Sequence, residues 1–166
     1  METLFAPWRL SYLMSEKPAG CIFCDALRLG DDEASLIVHR GERVFSMLNR
    51  YPYANGHVMV APVAHEARLF ESDAGALAEL IGEISRTQEV LGSLYRPSGF
   101  NVGANFGKAG GAGIEDHYHF HVVPRWEGDT NFMTVTGRTR VVPEELPATR
   151  RAVAAAFETL AAGSAR

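Results

Sequence analysis

The sequence lacks the features that mark several large classes of protein. Two cysteines among 166 residues are too few for the disulfide framework of a small secreted domain. No apolar run approaches the roughly 20 residues of a membrane-spanning helix, and no internal repeat or low-complexity tract is present. Pro7, Trp8 and Arg9 interrupt the apolar N-terminal stretch, which has no basic start, so we expect no signal peptide. These absences favour a cytoplasmic location.

The charge balance also excludes some partners. Sixteen Lys and Arg residues against 20 Asp and Glu residues leave a formal charge of −4. This balance argues against sequence-independent binding to nucleic acid or to an anionic membrane. Hydrophobic residues make up 46% and charged residues 22% of the chain, as in ordinary globular proteins. We expect a single domain over residues 1–166, large enough to bury a core without disulfides.

Apolar periodicity divides the chain into strands and helices. The first 35 residues are expected to be loop-like. His39 is expected to be a solvated residue at the end of a strand. Helical spacing from Ser72, the expected N-cap, to Tyr95 predicts one long helix. Strands are expected at residues 36–39, 44–48, 57–61, 100–104, 117–124 and, briefly, 141–143, with a helix at 144–162. The pattern predicts an α+β domain with a mainly antiparallel sheet covered by helix.

Three histidines in alternation are the strongest chemical signal. His117, His119 and His121 are separated by Tyr118 and Phe120. Because successive side chains of a strand point to opposite faces, the three imidazoles are expected to share one face. The other face is apolar and suited to packing against a helix, while the histidine face presents groups that titrate near neutral pH.

Two chemical interpretations of the cluster compete. In the first, all three histidines hold one metal ion. The outer two Cα atoms of the triad are about 13 Å apart on a strand, which disfavours a tetrahedral site because zinc ligand nitrogens lie about 2.1 Å from the ion. In the second, one imidazole is a nucleophile or base and its neighbours support it. The preceding loop favours the second interpretation: residues 107–113 contain four glycines and Lys108, a composition that brings N–H groups close to an anion.

The sequence resembles the histidine-triad (HIT) superfamily of nucleotidyl hydrolases and transferases. Residues 117–123 match its His-φ-His-φ-His-φ-φ signature, where φ is hydrophobic, and residues 49–57 resemble the Asn-Arg-x-Pro-x-x-x-Gly-His segment of the Fhit-like branch. Residues 4–9 and 123–132 are similar to the bacterial diadenosine tetraphosphate phosphorylase-like members. The resemblance implies one HIT domain with a five-stranded antiparallel sheet, a long helix and a C-terminal helix. An N-terminal segment would span residues 1–34, the core 35–142 and a helical tail 143–166.

The resemblance also implies a role for each residue that matches a family motif. His119 would form a nucleotidyl-imidazole intermediate, His121 would bind phosphoryl oxygens near the leaving group, and His57 would orient the other two. Asn49 would bind the ribose hydroxyls. The phosphate would be held by Asn105 and by the backbone of Gly111, Ala112 and Gly113. In this loop Gly-Gly-Ala-Gly replaces the usual Gly-Gln-Ser or Gly-Gln-Thr, so a side chain that normally contacts phosphate or leaving group is missing.

Cys21 and Cys24 form a CxxC motif of their own. In a reducing compartment such a motif is a redox pair, half of a metal site or a chance pair, and no thioredoxin-like βαβ context follows it here. Several HIT proteins bind a structural zinc with this motif. By resemblance, the ligands here would be Cys21, Cys24, His65 and His117, a suitable tetrahedral set. That assignment leaves His119 and His121 available for catalysis.

The resemblance therefore implies a homodimeric enzyme that acts on a small nucleotide, with structural zinc and no organic cofactor. The first choice of reaction is cleavage of dinucleoside polyphosphates through an AMP–His119 intermediate, with phosphate as acceptor. A hydrolase of the same substrates, or of AMP joined to an amine or sulfate, is the alternative within this class. A nucleotide-binding sensor with slow turnover is the alternative from another class, and a metalloenzyme is a third.

Overall fold

The computed structural model describes residues 20–129 and 144–164 of the chain. The elements in chain order are α1 (Ile22–Leu29), α2 (Asp32–Ser35), β1 (Ile37–Arg40), β2 (Val44–Leu48), β3 (Val58–Pro62), a 3-10 turn (Leu69–Glu71), α3 (Ala74–Tyr95), β4 (Gly99–Ala104), β5 (Phe120–Arg125) and α4 (Leu146–Ser164). The expected strand at 141–143 and the motif residues 4–9 and 130–132 lie outside the described ranges.

The five strands form one antiparallel sheet in the order β1-β2-β3-β5-β4. β2 and β3 pair along their full lengths, from Val44 opposite Pro62 to Leu48 opposite Val58. β5 lies between β3 and β4, so the strand that carries His121 is inside the sheet rather than at its edge. The predicted α+β fold with a five-stranded antiparallel sheet, a long helix and a C-terminal helix is confirmed.

The sheet buries both faces, each against different helices. α3 and α4 cover one face, where Val60, Leu80 and Phe157 belong to the larger core cluster. α1 covers part of the other face and buries Phe23 against Phe45 and other apolar side chains of the sheet. Removing each such side chain from water contributes roughly 1.5–3 kcal/mol to folding. The face covered by α3 and α4, the helix-covered face, builds most of the core. The face partly covered by α1 carries His57, His119 and His121.

The loop-like expectation for the first 35 residues is wrong for residues 22–35. α1 buries Phe23 and Ala26, which are one helical turn apart, and ends at Gly30 in a left-handed conformation with φ 68°. The side chain of Asp31 then caps α2 by accepting hydrogen bonds from the N–H groups of Glu33 and Ala34. Helices of eight and four residues are too short for apolar periodicity to identify, because tertiary packing supplies their stability.

The predicted long helix is confirmed, but Ser72 is not its N-cap. Asp73, rather than Ser72, is the N-cap, and its carboxylate accepts a hydrogen bond from the N–H of Ala76. Ser72 is buried and its hydroxyl contacts the Tyr118 hydroxyl at 2.7 Å. At the other end, the helix stops at Tyr95 because Arg96 adopts a left-handed conformation immediately before Pro97.

The strand predicted over 117–124 begins three residues later, at Phe120. The cause lies in its neighbours. β3 ends at Pro62, which has no N–H to offer a ladder, and β4 ends at Ala104, directly opposite Phe120. Residues 117–119 therefore precede β5 and lie outside the sheet ladders.

The expectation that His39 is solvated is also wrong. Its ring stacks on Phe157 of α4 with centroids 4.8 Å apart and an interplanar angle of 11°. Its Nδ1 lies 2.8 Å from a carboxylate oxygen of Glu83, which is itself buried in α3 and accepts a hydrogen bond from Ser46. A bulge in β1 between Ile37 and His39 turns His39 toward the helices.

Within residues 20–129 and 144–164, no helix is both long enough and apolar enough to span a membrane.

Candidate active site

The sheet brings His57, His119 and His121 together on the face that α1 partly covers. His57 immediately precedes β3, and the β3–β5 register puts Met59 opposite His121. The Nε2 atom of His57 lies 2.9 Å from the Nδ1 atom of His121. The rings of His119 and His121 meet edge to face with centroids 4.9 Å apart. The His121 ring thus contacts both His57 and His119, and the contact between His119 and His121 agrees with the alternating pattern.

Main-chain groups determine which nitrogen of His57 and His121 carries the proton. The N–H of Tyr53 donates to the Nδ1 atom of His57 at 3.1 Å. Since a main-chain N–H can only donate, this Nδ1 is an acceptor and the neutral His57 ring carries its proton on Nε2. That N–H then donates to the Nδ1 atom of His121. Neutral His121 is left with its own proton on Nε2.

His119 adopts the opposite tautomer. Its Nδ1 atom lies 3.1 Å from the main-chain oxygen of His117. A carbonyl oxygen can only accept, so the neutral His119 ring donates from Nδ1 and has a lone pair on Nε2. The site therefore holds two adjacent imidazoles of different character: His119 offers a nucleophilic nitrogen, and His121 offers an N–H donor.

Burial keeps both imidazoles neutral near pH 7. Only 6% of His119 is exposed, and its ring centroid lies 4.7 Å from that of Phe23. This burial lowers the pKa of His119 below its ordinary value. Burial, and secondarily the nearby His119, lowers the pKa of His121 to about 4. A neutral His119 is the form that can act as a nucleophile.

Tyr53 is a member of the site that the sequence reasoning missed. Its ring lies against His57 and His121, with centroid separations of 4.6 and 5.8 Å, and it remains 45% exposed. The available signal was its position within the segment 49–57. Nothing in an aromatic residue of a turn, however, indicates that its main-chain N–H will meet an imidazole nitrogen.

Asn49 lies beside His57 where the loop that joins β2 to β3 begins and ends. Its N–H donates to the main-chain oxygen of His57 at 2.9 Å, and its side-chain oxygen accepts from the N–H of Tyr51. Gly56, with φ 71°, forms the turn that returns the chain to His57. The Asn49 side-chain oxygen is thus used to shape this turn, and its amide nitrogen is the group it can direct to a ligand.

The glycine-rich loop connects β4 to the histidines. Asn105 follows Ala104, the partner of Phe120, so the loop leaves the sheet next to His119. The N–H groups of Gly111 and Ala112 donate within the loop, to the main-chain oxygens of Lys108 and Gly107. Gly111 and Gly113 are exposed. In this conformation the N–H groups of Gly111 and Ala112 are bound to carbonyl oxygens of the same loop. To bind a phosphate they must exchange these partners or share them with it.

Cys21, Cys24, His65 and His117 converge at the N-terminal end of α1. One ligand atom from each residue can be chosen so that all lie within 4.8 Å of one another. Nδ1 of His117 is 3.3 Å from Sγ of Cys21 and 3.7 Å from Sγ of Cys24, while Nδ1 of His65 is 3.3 Å from Sγ of Cys24. A tetrahedral zinc site has sulfur–nitrogen edges of about 3.6 Å. The donor set therefore fits zinc in both chemistry and spacing.

The surroundings of the cluster also suit a cation. Nε2 of His117 lies 2.8 Å from the main-chain oxygen of Pro62, which places the proton on Nε2 and leaves Nδ1 to face the sulfurs. Burial and the adjacent Cys21 raise the pKa of the Cys24 thiol, so a cation between the sulfurs is what would favour the thiolate. Four residues selected by resemblance are thus brought together by the fold.

Comparisons with known proteins agree with this geometry. A family model described as "HIT domain" matches residues 31–128. AP-4-A phosphorylase of Mycobacterium tuberculosis is 38% identical over 164 residues, which cover 93% of this chain and 83% of that protein. Among solved structures, a hypothetical histidine triad nucleotide-binding protein from Sulfolobus tokodaii shares 25% identity and superposes with a TM-score of 0.69. That alignment covers 84% of this chain and 93% of the other.

A second solved structure has the same fold. It is a Zn-bound histidine triad family protein from Mycobacterium smegmatis, with 23% identity and a TM-score of 0.70. The alignment covers 87% of this chain and 97% of that one.

Proposed function

Because the chain belongs to the HIT domain family of nucleotide-handling enzymes, we propose that it cleaves dinucleoside polyphosphates, with diadenosine tetraphosphate as the preferred class of substrate. The similarity to AP-4-A phosphorylase supports the substrate class, since it extends over 93% of the chain. The single observation that carries the chemistry is the pair of opposite tautomers, which presents a lone pair on His119 beside an N–H on His121.

The proposed reaction has two displacements. The Nε2 atom of His119 attacks the phosphorus that bears one adenosine, forming a P–N bond as the P–O bond to the remaining polyphosphate breaks. The Nε2–H of His121 faces the leaving oxygen and stabilises its developing negative charge by donating a hydrogen bond. For diadenosine tetraphosphate, ATP leaves and AMP stays on His119. Phosphate then attacks to release ADP, whereas water would release AMP; in either case His119 regains its lone pair.

The surrounding residues bind and orient the substrate. We propose that Asn49 directs its amide to the ribose hydroxyls and that His57 holds His121 through the 2.9 Å contact. Asn105 and the backbone of Gly111, Ala112 and Gly113 would receive the phosphoryl oxygens as charge develops. The loop must rearrange for this role because two of its N–H groups are used internally.

We also propose that zinc occupies the Cys21, Cys24, His65 and His117 cluster as a structural ion in a cytoplasmic protein whose thiols stay reduced. A bound zinc would tie α1 and the loop after β3 to His117. It supplies cross-linking rather than chemistry at phosphorus, because four protein ligands leave a tetrahedral ion no open position.

Product analysis with and without inorganic phosphate tests the reaction. We expect diadenosine tetraphosphate to give ADP and ATP only when phosphate is present, since the acceptor approaches a phosphorus already bound to His119. AMP and ATP without phosphate would identify water as the acceptor and replace the phosphorylase by a hydrolase. Absence of product in both reactions, with the nucleotide bound, would contradict this substrate and favour another AMP conjugate or a sensor.

We propose a homodimer formed through the edge strand β4. At the opposite edge, Arg150 of α4 donates to the main-chain oxygen of Ile37, and α4 packs against β1. Among the residues that the structure describes, β4 is the less covered edge: Asn101, Val102 and Gly103 are exposed, and Val102 retains 41% of its accessible surface. An exposed edge strand is suited to pairing with a second copy of itself.

Val102→Lys is expected to convert the dimer to a monomer, because a lysine in the new interface would face its own copy near the symmetry axis. Light scattering coupled to size-exclusion chromatography measures the mass. Val63→Lys is the matched control, since Val63 is similarly exposed, at 43%, outside β4. A wild-type monomer, or loss of the dimer in the control alone, would contradict the assignment of this edge.

A further inference from the structure

The nucleophilic histidine lies in a segment that the sheet does not hold. Residues 117–119 precede β5, and the first ladder pairs of that strand involve Phe120 on both sides. Yet the proton of His119 depends on the position of a single carbonyl, that of His117, at 3.1 Å. Something other than sheet pairing must keep that peptide group in place.

Glu66 holds the same peptide group from its other side. The N–H of Tyr118 belongs to the peptide unit whose carbonyl belongs to His117, and in a trans peptide the two point in opposite directions. This N–H donates to the main-chain oxygen of Glu66 at 2.8 Å. One peptide plane therefore links the Glu66 carbonyl to the Nδ1–H of His119, and hydrogen bonds at both ends of a peptide polarise each other.

A side-chain relay holds the far end of Tyr118. Its hydroxyl lies 2.7 Å from Oγ of Ser72, and that hydroxyl donates in turn to the carboxylate of Glu66. Because the Ser72 proton is committed to a carboxylate that only accepts, the Tyr118 hydroxyl is the donor to Ser72. Tyr118 is 1% exposed and Ser72 9% exposed, which shields both bonds from competing water.

Tyr118 is thus fixed at two points by one residue, at its N–H by the Glu66 carbonyl and at its hydroxyl through Ser72. Its ring also packs against Phe106, with centroids 6.2 Å apart, at the start of the glycine-rich loop. The ring therefore joins the loop after β3, the glycine-rich loop and the histidine segment on the face opposite the imidazoles.

We infer that Tyr118 and Ser72 are positioning residues that act through the His117–Tyr118 peptide to keep the lone pair of His119 on Nε2. They touch no reacting atom. If the relay is removed, the peptide gains freedom to rotate, the His117 carbonyl leaves Nδ1, and the two tautomers of His119 mix. The inference rests on the proposed function for its effect on catalysis, but its effect on the His119 tautomer is independent of the reaction.

Tyr118→Phe and Ser72→Ala each remove one hydroxyl of the relay without removing the aromatic ring or the main-chain bond. We expect both to slow the first displacement about tenfold in single turnover, with substrate affinity unchanged, because displacement of a reacting group costs rate rather than binding. The double variant should slow the first displacement no more than either single variant does, since the two hydroxyls belong to one hydrogen-bonded chain. The ¹⁵N shifts of the His119 ring should move from a single tautomer toward a mixture.

Ser46→Ala is the matched control. Ser46 is also buried, and its hydroxyl donates to a glutamate carboxylate, that of Glu83, at 2.6 Å on the helix-covered face. It should lower thermal stability comparably while leaving the rate and the His119 shifts unchanged. The inference is overturned if the relay variants lose only stability, as the control does, with unaltered ¹⁵N shifts. A tautomer change in a protein that cleaves no dinucleotide would uphold the relay and overturn the proposed function.

Discussion

His119→Asn is expected to lower the rate of dinucleotide cleavage by about a thousandfold or more while leaving the dissociation constant for the nucleotide within about twofold. Asparagine fills similar space and retains hydrogen-bonding groups, but its amide nitrogen has no lone pair available to attack phosphorus. The loss therefore falls on the chemical step. Steady-state kinetics and equilibrium binding of diadenosine tetraphosphate measure the two quantities separately.

The same substitution elsewhere provides the control. His39→Asn removes a histidine that lies on the helix-covered face, stacked on Phe157, and we expect it to keep most of the activity. A nucleotide sensor would respond differently from an enzyme: His119→Asn would then change little, because slow turnover is incidental to its binding role. Retention of more than about a tenth of the wild-type rate in His119→Asn would contradict a covalent role for this residue.

Loss of the zinc ligands Cys21 and Cys24 is expected to have the second largest effect, a decrease in the stability of the fold. Protein purified without chelator should contain about one zinc per chain, and Cys21→Ser combined with Cys24→Ser should reduce this below about a tenth. The melting temperature should fall by about 10 °C, because α1 and the loop carrying His65 lose their cross-link to His117. A decrease of several kcal/mol in the free energy of unfolding shifts the melting temperature of a domain of this size by about that amount. Elemental analysis measures the zinc content, and calorimetry measures the melting temperature.

Chelation of the wild-type protein separates a structural ion from a catalytic one. If the ion is structural, activity should decline only as the folded fraction declines, since no step needs an open metal position. Immediate loss of activity in folded protein would favour a metalloenzyme. Less than about half an equivalent of zinc per chain in the purified protein would contradict a zinc site altogether.

The sequence was informative where a local pattern has only one physical outcome. Alternation put His119 and His121 on one face because strand side chains alternate, and the fold brings their rings into contact. The Cys21, Cys24, His65 and His117 set followed from resemblance rather than from spacing, and its four ligand atoms converge in the structure. Helix α3 was visible because its apolar repeat extends over several turns.

The features that were missed depend on partners distant in sequence. His39 was expected to be solvated, yet Glu83 and Phe157 bury it from 44 and 118 positions away. Ser72 has the composition of a helix cap, but Tyr118, 46 positions later, uses its hydroxyl instead. The tautomers of His57 and His119 are set by the main-chain groups of Tyr53 and His117, which have the same chemistry in every residue and leave no trace in side-chain identity.

The stereochemical course at phosphorus tests the proposed double displacement most directly. The substrate would carry sulfur in place of one non-bridging oxygen on the phosphorus attached to adenosine, as a single diastereomer, with phosphate or ¹⁸O-labelled water as acceptor. Two in-line displacements through His119 invert the phosphorus twice, so we predict a product with retained configuration. Inversion would mean that the acceptor attacks the substrate directly, and it would contradict a nucleotidyl–His119 intermediate.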